Sequence, residues 1–139
     1  MRKQQKGFTL IEIMIVVIIL GMLATLVIQA VGDRPDQARA VKVKNDIVAL
    51  EGAIKMYRLD VYRVPSTEQG LASLIKKPSG VSNWSGPYID RLPDDPWGNP
   101  YRYRAPGVEG AKFDIFSVGA DGQEGGTDID ADIGSWNLK

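Results

Sequence analysis

The chain of 139 residues contains no cysteine and no histidine. This removes the thiolate nucleophile, the commonest general base near neutral pH, and the ligands that zinc and copper prefer. No disulfide can close a loop, so if the domain is exported its fold is held by packing and non-covalent clips. Any resident metal must be a hard cation held by oxygen. Net charge is absent as well, with 17 Lys and Arg balancing 17 Asp and Glu. No overall field therefore favours nucleic acid or an acidic partner. Internal repeats are also lacking. With 44% hydrophobic residues, the length suits one small domain plus an appendage and is too short for two ordinary cores.

The charge that is present is unevenly placed. Residues 1–7 hold three cations (Arg2, Lys3, Lys6) and no acid, whereas residues 121–132 hold five acids and no cation. From Phe8 to Ala30 the only charged residue is Glu12. A helix of that length covers about 35 Å at 1.5 Å per residue, enough for a bilayer core of about 30 Å. The run is expected to span a membrane, with the cationic N-terminus cytoplasmic and the remainder translocated. A cleaved secretory signal fits poorly, because its apolar region is only about 7 to 15 residues long. A plain anchor leaves Glu12 unexplained, since a carboxylate deep in a bilayer costs about 2.5 to 3.5 kcal/mol even on lenient scales and usually has a partner.

Gly7, Phe8, Thr9, Leu10, Ile11 and Glu12, after a short basic leader, resemble the processing site of the type IV pilin superfamily. The resemblance implies that a prepilin peptidase cuts after Gly7 on the cytoplasmic side and that the new N-terminus at Phe8 is methylated. The apolar helix stays in the product, with Thr9 and Glu12 as assembly residues. A methylated amine remains cationic, so Glu12 can neutralise either its own Phe8 amine or, when helices pack with an axial offset, that of an adjacent subunit. Removing one partner of such a buried pair costs about 3 to 5 kcal/mol, and setting register is the best-supported role for buried charge.

Gly32, Asp33, Arg34, Pro35 and Asp36 interrupt the apolar run and predict a kink. Beyond it, Ala40, Val43, Ile47, Leu50, Ile54, Tyr57 and Val61 recur at spacings of three and four, which predicts an amphipathic helix. Lys42 and Asp46, and Glu51 and Lys55, are oppositely charged at i,i+4 on its polar side. In PSTEQGLASLIKKP, Ser66 and Gln69 form a capping-box pattern, Leu71, Leu74 and Ile75 share a face, and Pro78 and Gly80 end a short second helix. YRYR and KFDIFSV read as two strands joined by APGVEGA. The expected class is α+β, a long helical spine with a small head. Residues 1–7 form the leader, 8–30 a transmembrane and fibre-core helix, 31–62 its amphipathic continuation, and 63–139 the head with a small antiparallel sheet.

In the acidic tail, Asp121, Glu124, Asp128, Asp130 and Asp132 sit among Gly122, Gly125 and Gly126. Clustered acids in a flexible loop are either solvated or neutralised by a cation, and an all-oxygen donor set suits calcium, which takes six to eight ligands. The spacing is not that of an EF-hand. Counted from Asp128, the glycine falls one place late at Gly134, and Lys139 stands where a bidentate Glu is required.

Beyond the N-terminal motif, YRLDVYRVPSTEQGLASL, GPYIDRLPDDPWGNPY, FDIFSVGADGQEGG and DADIGSW resemble the major pseudopilins of type II secretion systems. One departure is the absence of the proline that many relatives carry where this chain has Ile28, Gln29 and Ala30. The resemblance implies a calcium loop in which Asp121 and Asp132 are the principal side-chain ligands and Val118 offers its backbone carbonyl. Asp128 and Asp130 are further candidates, and Glu124 is the least suited. It also implies a structural subunit, anchored in the bacterial inner membrane with its head in the periplasm, that polymerises into a helical pseudopilus and supports export of folded proteins. Its partners would be copies of itself, minor pseudopilins, the inner-membrane secretion platform and the prepilin peptidase. Glu51 and Arg91 are candidates for an ion pair between subunits. A pilus subunit used for adhesion or DNA uptake is the alternative, opposed by the missing disulfide. An enzyme without His or Cys would need paired carboxylates across a cleft, and here the acids share one loop.

If processing occurs after Gly7, the membrane-extracted protein should lack residues 1–7 and carry one added methyl group by intact-mass analysis. Gly7→Ala should leave the precursor uncut; a Gly7→Ala product with the mature mass would refute the cleavage site.

Overall fold

The computed structural model describes residues 7–32 and 34–138, with the backbone alone for 25–32, 34 and 109. The leader cations Arg2, Lys3 and Lys6, together with Asp33, lie outside the described residues. The chain divides after Gln37 into two compact units, each described by itself.

The first unit is built on helix α1 (Leu10–Gly32). Leu10, Ile11, Ile13, Met14, Ile15, Val16, Val17, Ile18, Ile19, Leu20, Met22 and Leu23 are all at least half exposed. A helix that is apolar around its whole circumference is one that packs into other helices or lipid, not one that lies on a core. No helix among the described residues is long and apolar enough to cross a membrane; the span expected over 8–30 lies partly outside the described side chains.

Helix α2 runs Arg34–Val61. Pro35 falls in its first turn, where the missing amide donor costs nothing. The expected stripe is the core of the second unit: Val43, Ile47, Leu50, Ile54 and Tyr57 are fully buried, Ala53 joins them, and Val61 packs alongside. Ala40 departs from the expectation and is exposed, lining an open depression with Ile133 and Leu138. Each large side chain so buried contributes about 1.5 to 3 kcal/mol relative to exposure. Lys42 and Asp46 pair at 2.6 Å as their spacing predicts. Glu51 and Lys55 form no ion pair among the described residues.

Facing α2 is an antiparallel sheet in the order β1 (Arg102–Arg104), β2 (Asp114–Ser117), β3 (Ile133–Gly134). Tyr103 pairs with Ile115, and Ser117 with Ile133. Both expected strands are present but shorter than the alternating runs, and β3 was not expected. Ile115 and Tyr101 close the core with Leu71 and Leu74. The expected second helix is instead a turn followed by a 3₁₀ segment, Leu71–Leu74. The capping-box bonds do form, with Ser66 N donating to Gln69 Oε1 at 3.0 Å and Gln69 N to Ser66 Oγ at 3.2 Å. Gly70, at φ 56°, then breaks the α-helical path.

Tyrosines tie these layers together. Tyr101 Oη donates to Asp46 Oδ2 at 2.8 Å, Tyr103 Oη to the Pro65 carbonyl at 2.7 Å, and Tyr88 Oη to Asp60 Oδ2 at 2.7 Å. Burial pushes the Tyr101 and Tyr103 phenols well above the ordinary value of 10.0, and for Tyr101 the bond to Asp46 adds to it. Because the folded state raises these pKa values, the stability they supply is complete below the unfolded value and declines as pH rises above it. Chemical denaturation of the wild type should therefore show falling stability above about pH 10. Tyr101→Phe should be less stable at pH 7 and lose less on going to alkaline pH; equal slopes would refute the assignment.

Candidate functional site

At the N-terminal motif the helix begins with a reciprocal cap. Thr9 N and Thr9 Oγ1 both donate to Glu12 Oε2, at 2.9 and 3.0 Å, and Glu12 N donates back to Thr9 Oγ1 at 3.3 Å. This capping box satisfies backbone donors that a helix start otherwise leaves open. The signal was in the sequence as T-x-x-E ahead of an apolar run, although Glu12 was read there only as a partner for an amine. Gly7 and Phe8 precede the helix; Phe8 is 83% exposed, so the backbone around the expected cut is uncovered.

Glu51 stands on α2 beside an open depression walled by Val108, Phe113 and Trp136. Arg91 lies exposed in the loop before Asp94. Among the described residues neither makes an ion pair or a side-chain hydrogen bond, so both charges are available to a neighbour.

The C-terminal loop is wound on itself. Ala120 N donates to the Ile129 carbonyl at 3.0 Å, which joins the two limbs of the acidic segment. Gly119 and Gly126 both have positive φ and both lie against Asp130, whose carbonyl oxygen would stand 2.7 and 2.5 Å from a Cβ at those positions. No other residue type fits there. Asp121 is exposed and its Oδ1 accepts from Gln123 N at 3.0 Å. Asp128 is exposed with φ 56°, Asp130 is half-buried, and Val118 is buried at the end of β2. Among the described residues no three carboxylates converge as a metal cluster. Asp132 is the informative member. Its Oδ2 accepts from Gly125 N at 3.0 Å, while its Oδ1 is buried without a hydrogen-bond partner. A buried, unpartnered carboxylate oxygen is costly unless a cation meets it. Asp132 Oδ1 is thus a point in the loop where a hard cation would meet an unpartnered carboxylate oxygen.

Two polar anchors around this loop were not foreseen. Asp95, 4% exposed, accepts from Trp97 N (3.0 Å) and Asn99 N (2.8 Å) at Oδ1 and from Ser117 Oγ (2.6 Å) at Oδ2. Asp95-Pro96 is a turn-initiating pair, but the link to Ser117 is long-range and has no local signal. Asp114, 1% exposed, accepts from Arg104 Nε at 2.9 Å and Val108 N at 2.7 Å, and the Arg104 guanidinium lies over both Phe116 and Trp136. These contacts hold the tail around Trp136 onto the sheet.

A helix start built on G-F-T-L-I-E, an apolar spine and a small α+β head define a prepilin-like subunit. Comparison agrees: residues 2–28 match the prokaryotic N-terminal methylation motif, and residues 30–136 match the family described as type II secretion system protein G. The chain is 57% identical to the type II secretion system core protein G of Pseudomonas aeruginosa, with 98% of each chain covered. It is 51% identical to that of Vibrio cholerae, over 99% of this chain and 95% of the relative. The crystal structure of the major pseudopilin from the type 2 secretion system of enterohaemorrhagic Escherichia coli superposes with a TM-score of 0.68 at 44% identity, covering 76% of this chain and 93% of that one. The chain belongs to the type II secretion system protein G family, the major pseudopilins, and its role is that of a pseudopilus subunit.

Proposed function

We propose that the chain is cut after Gly7, methylated at Phe8, held in the inner membrane by α1 with its head in the periplasm, and drawn into the pseudopilus through Glu12. The observation that carries this is the Glu12 carboxylate, the one charge on an otherwise apolar helix, with its bonds from Thr9 both made to Oε2. Among the described residues Oε1 has no partner. Glu12 can therefore keep its cap and accept a neighbouring Phe8 amine at the same time. A charge-assisted bond of this kind is about twice as strong as a neutral one. Copies related by a non-closing, heterologous contact give a fibre and not a ring.

Glu51 and Arg91 of adjacent heads then pair to fix lateral register, a role that needs no catalysis. Minor pseudopilins, the inner-membrane platform and the prepilin peptidase are the other partners, and nothing in the charge distribution favours nucleic acid. Calcium belongs at the C-terminal loop, where Asp132 and Asp121 are the side chains that would hold it, with the Val118 carbonyl and then Asp128 or Asp130. When bound it supplies the positive charge that lets five acids share one loop. The loop then clips the C-terminus to the head as a disulfide would in a chain with cysteine.

Glu12→Ala should insert normally and yield few fibres in a sheared-filament assay; fibres at wild-type yield would sink the registry role. Glu51→Arg alone should lower the yield, and adding Arg91→Glu should restore it; no rescue would rule out the pair. At calcium 100 times its Kd the folded state gains about 2.7 kcal/mol. Chelation should therefore lower the melting temperature by about 10 to 20 °C, and an unchanged melting temperature would exclude the site.

A further inference from the structure

We propose that Asn99 is a positioning residue for the C-terminal loop, holding the Gly119–Gly122 turn in the geometry that calcium requires. The inference rests on the calcium reading above. It starts from a closed circuit of polar contacts. Asn99 Nδ2 donates to the Gly119 carbonyl at 2.9 Å, and Gly119 N donates to Ser117 Oγ at 3.2 Å. Ser117 Oγ donates to Asp95 Oδ2 at 2.6 Å, and Asp95 Oδ1 accepts from Asn99 N at 2.8 Å. The circuit returns to the residue it left, and Asp95 N donates to the Asn99 carbonyl at 2.9 Å to brace it again.

Three of its members, Asp95, Ser117 and Gly119, are buried, so the circuit sits in low dielectric, where each bond is strengthened and each unmade one is expensive. Both backbone polar groups of Gly119 are thereby committed. At the far end of the same turn, a Cβ on Gly122 would lie 3.3 Å from Asn99 Oδ1, so the Asn99 amide also fills the space beneath Gly122. One side chain from the DPWGNP segment thus supports both ends of a four-residue turn. That turn carries Asp121 and directly follows Val118, two of the expected ligands, and it is itself bonded to the other limb through Ala120 and Ile129.

Pre-setting a loop removes the ordering cost from the binding step. Residues that orient metal ligands without touching the metal are typically worth 10- to 100-fold in affinity. Asn99 is such a residue by geometry: its contacts are to the turn's backbone and it offers no charge to the ion.

The test uses the full chain in detergent, stripped with chelator and titrated with calcium chloride by calorimetry, with melting temperatures measured with and without calcium. Asn99→Ala removes the support, and Asn99→Leu keeps bulk beneath Gly122 but cannot donate to the Gly119 carbonyl. Both should bind calcium at least about 10-fold more weakly than wild type, and both should lose more melting temperature in the presence of calcium than in its absence, where only the broken polar bonds count. Wild-type affinity in both variants overturns the positioning role and leaves the calcium site standing. A loss of melting temperature that is equal with and without calcium makes Asn99 a structural residue only and also overturns it. No heat of binding in the wild type removes the calcium reading and this inference together.

Discussion

The second unit depends on burial of one stripe of α2. Val43, Ile47, Leu50, Ile54 and Tyr57 are fully buried, and every other part of that core, from Leu71 and Leu74 to Ile115, is arranged to cover them. The sheet cannot act as an independent scaffold, since its strands have only three, four and two residues and small isolated sheets are marginal in water. The strands are held by being laid onto the helix. Without cysteine, no covalent tie makes up for loss of this contact.

Side-chain polar bonds do what a larger sheet would do elsewhere. Lys42 Nζ bonds Asp46 and also the Asp94 carbonyl at 3.0 Å, and Tyr101 reaches the same Asp46. The polar edge of α2 is thereby joined to the segment on either side of the DPWGNP turn. From that turn the Asp95 carboxylate reaches Ser117 on β2, and Asn99 reaches Gly119. Order passes from helix to turn to loop by bonds that are individually worth about 1 kcal/mol but become costly to break once buried. Among the described residues of the core, Tyr57 Oη is buried without a partner, and shape there outweighs polar satisfaction at the centre of the stripe.

The sequence carried what is periodic or local. The 3.6-residue period marked α2, alternation marked β1 and β2, and the Ser66–Gln69 and Lys42–Asp46 pairs formed as their spacing required. The Glu51 and Lys55 pair, equally local, did not form, and the other failures were mostly elements whose definition is tertiary. β3 is two residues long and exists only because Gly134 and Ile133 lie beside Phe116 and Ser117, so no window of sequence could show it. The segment after Gln69 has helical composition, yet Gly70 at positive φ diverts it into a 3₁₀ path. At the candidate sites, the residue types were legible from the G-F-T-L-I-E motif and the acid-glycine tail. Their supports were not, because Asp95 and Ser117 stand 22 positions apart, and Asn99 and Gly119 stand 20 apart.

A common chemical device links the two ends of the chain. Glu12 commits Oε2 to donors on Thr9, and Asp132 commits Oδ2 to the amide of Gly125. In each case the second oxygen has no protein partner among the described residues. A carboxylate held in this way has already given up much of its rotational freedom, so a cation that meets the free oxygen pays little further ordering cost. The bond to the chain's own backbone also keeps the acid from being a bare charge before the cation arrives. Under the proposed function, the matching cation at the N-terminus would be an amine made by cleavage on another copy, and at the C-terminus an inorganic ion. Both carboxylates thus share one geometry, in which the local backbone orients an anion and leaves one oxygen open for the outside positive charge that the proposed function requires.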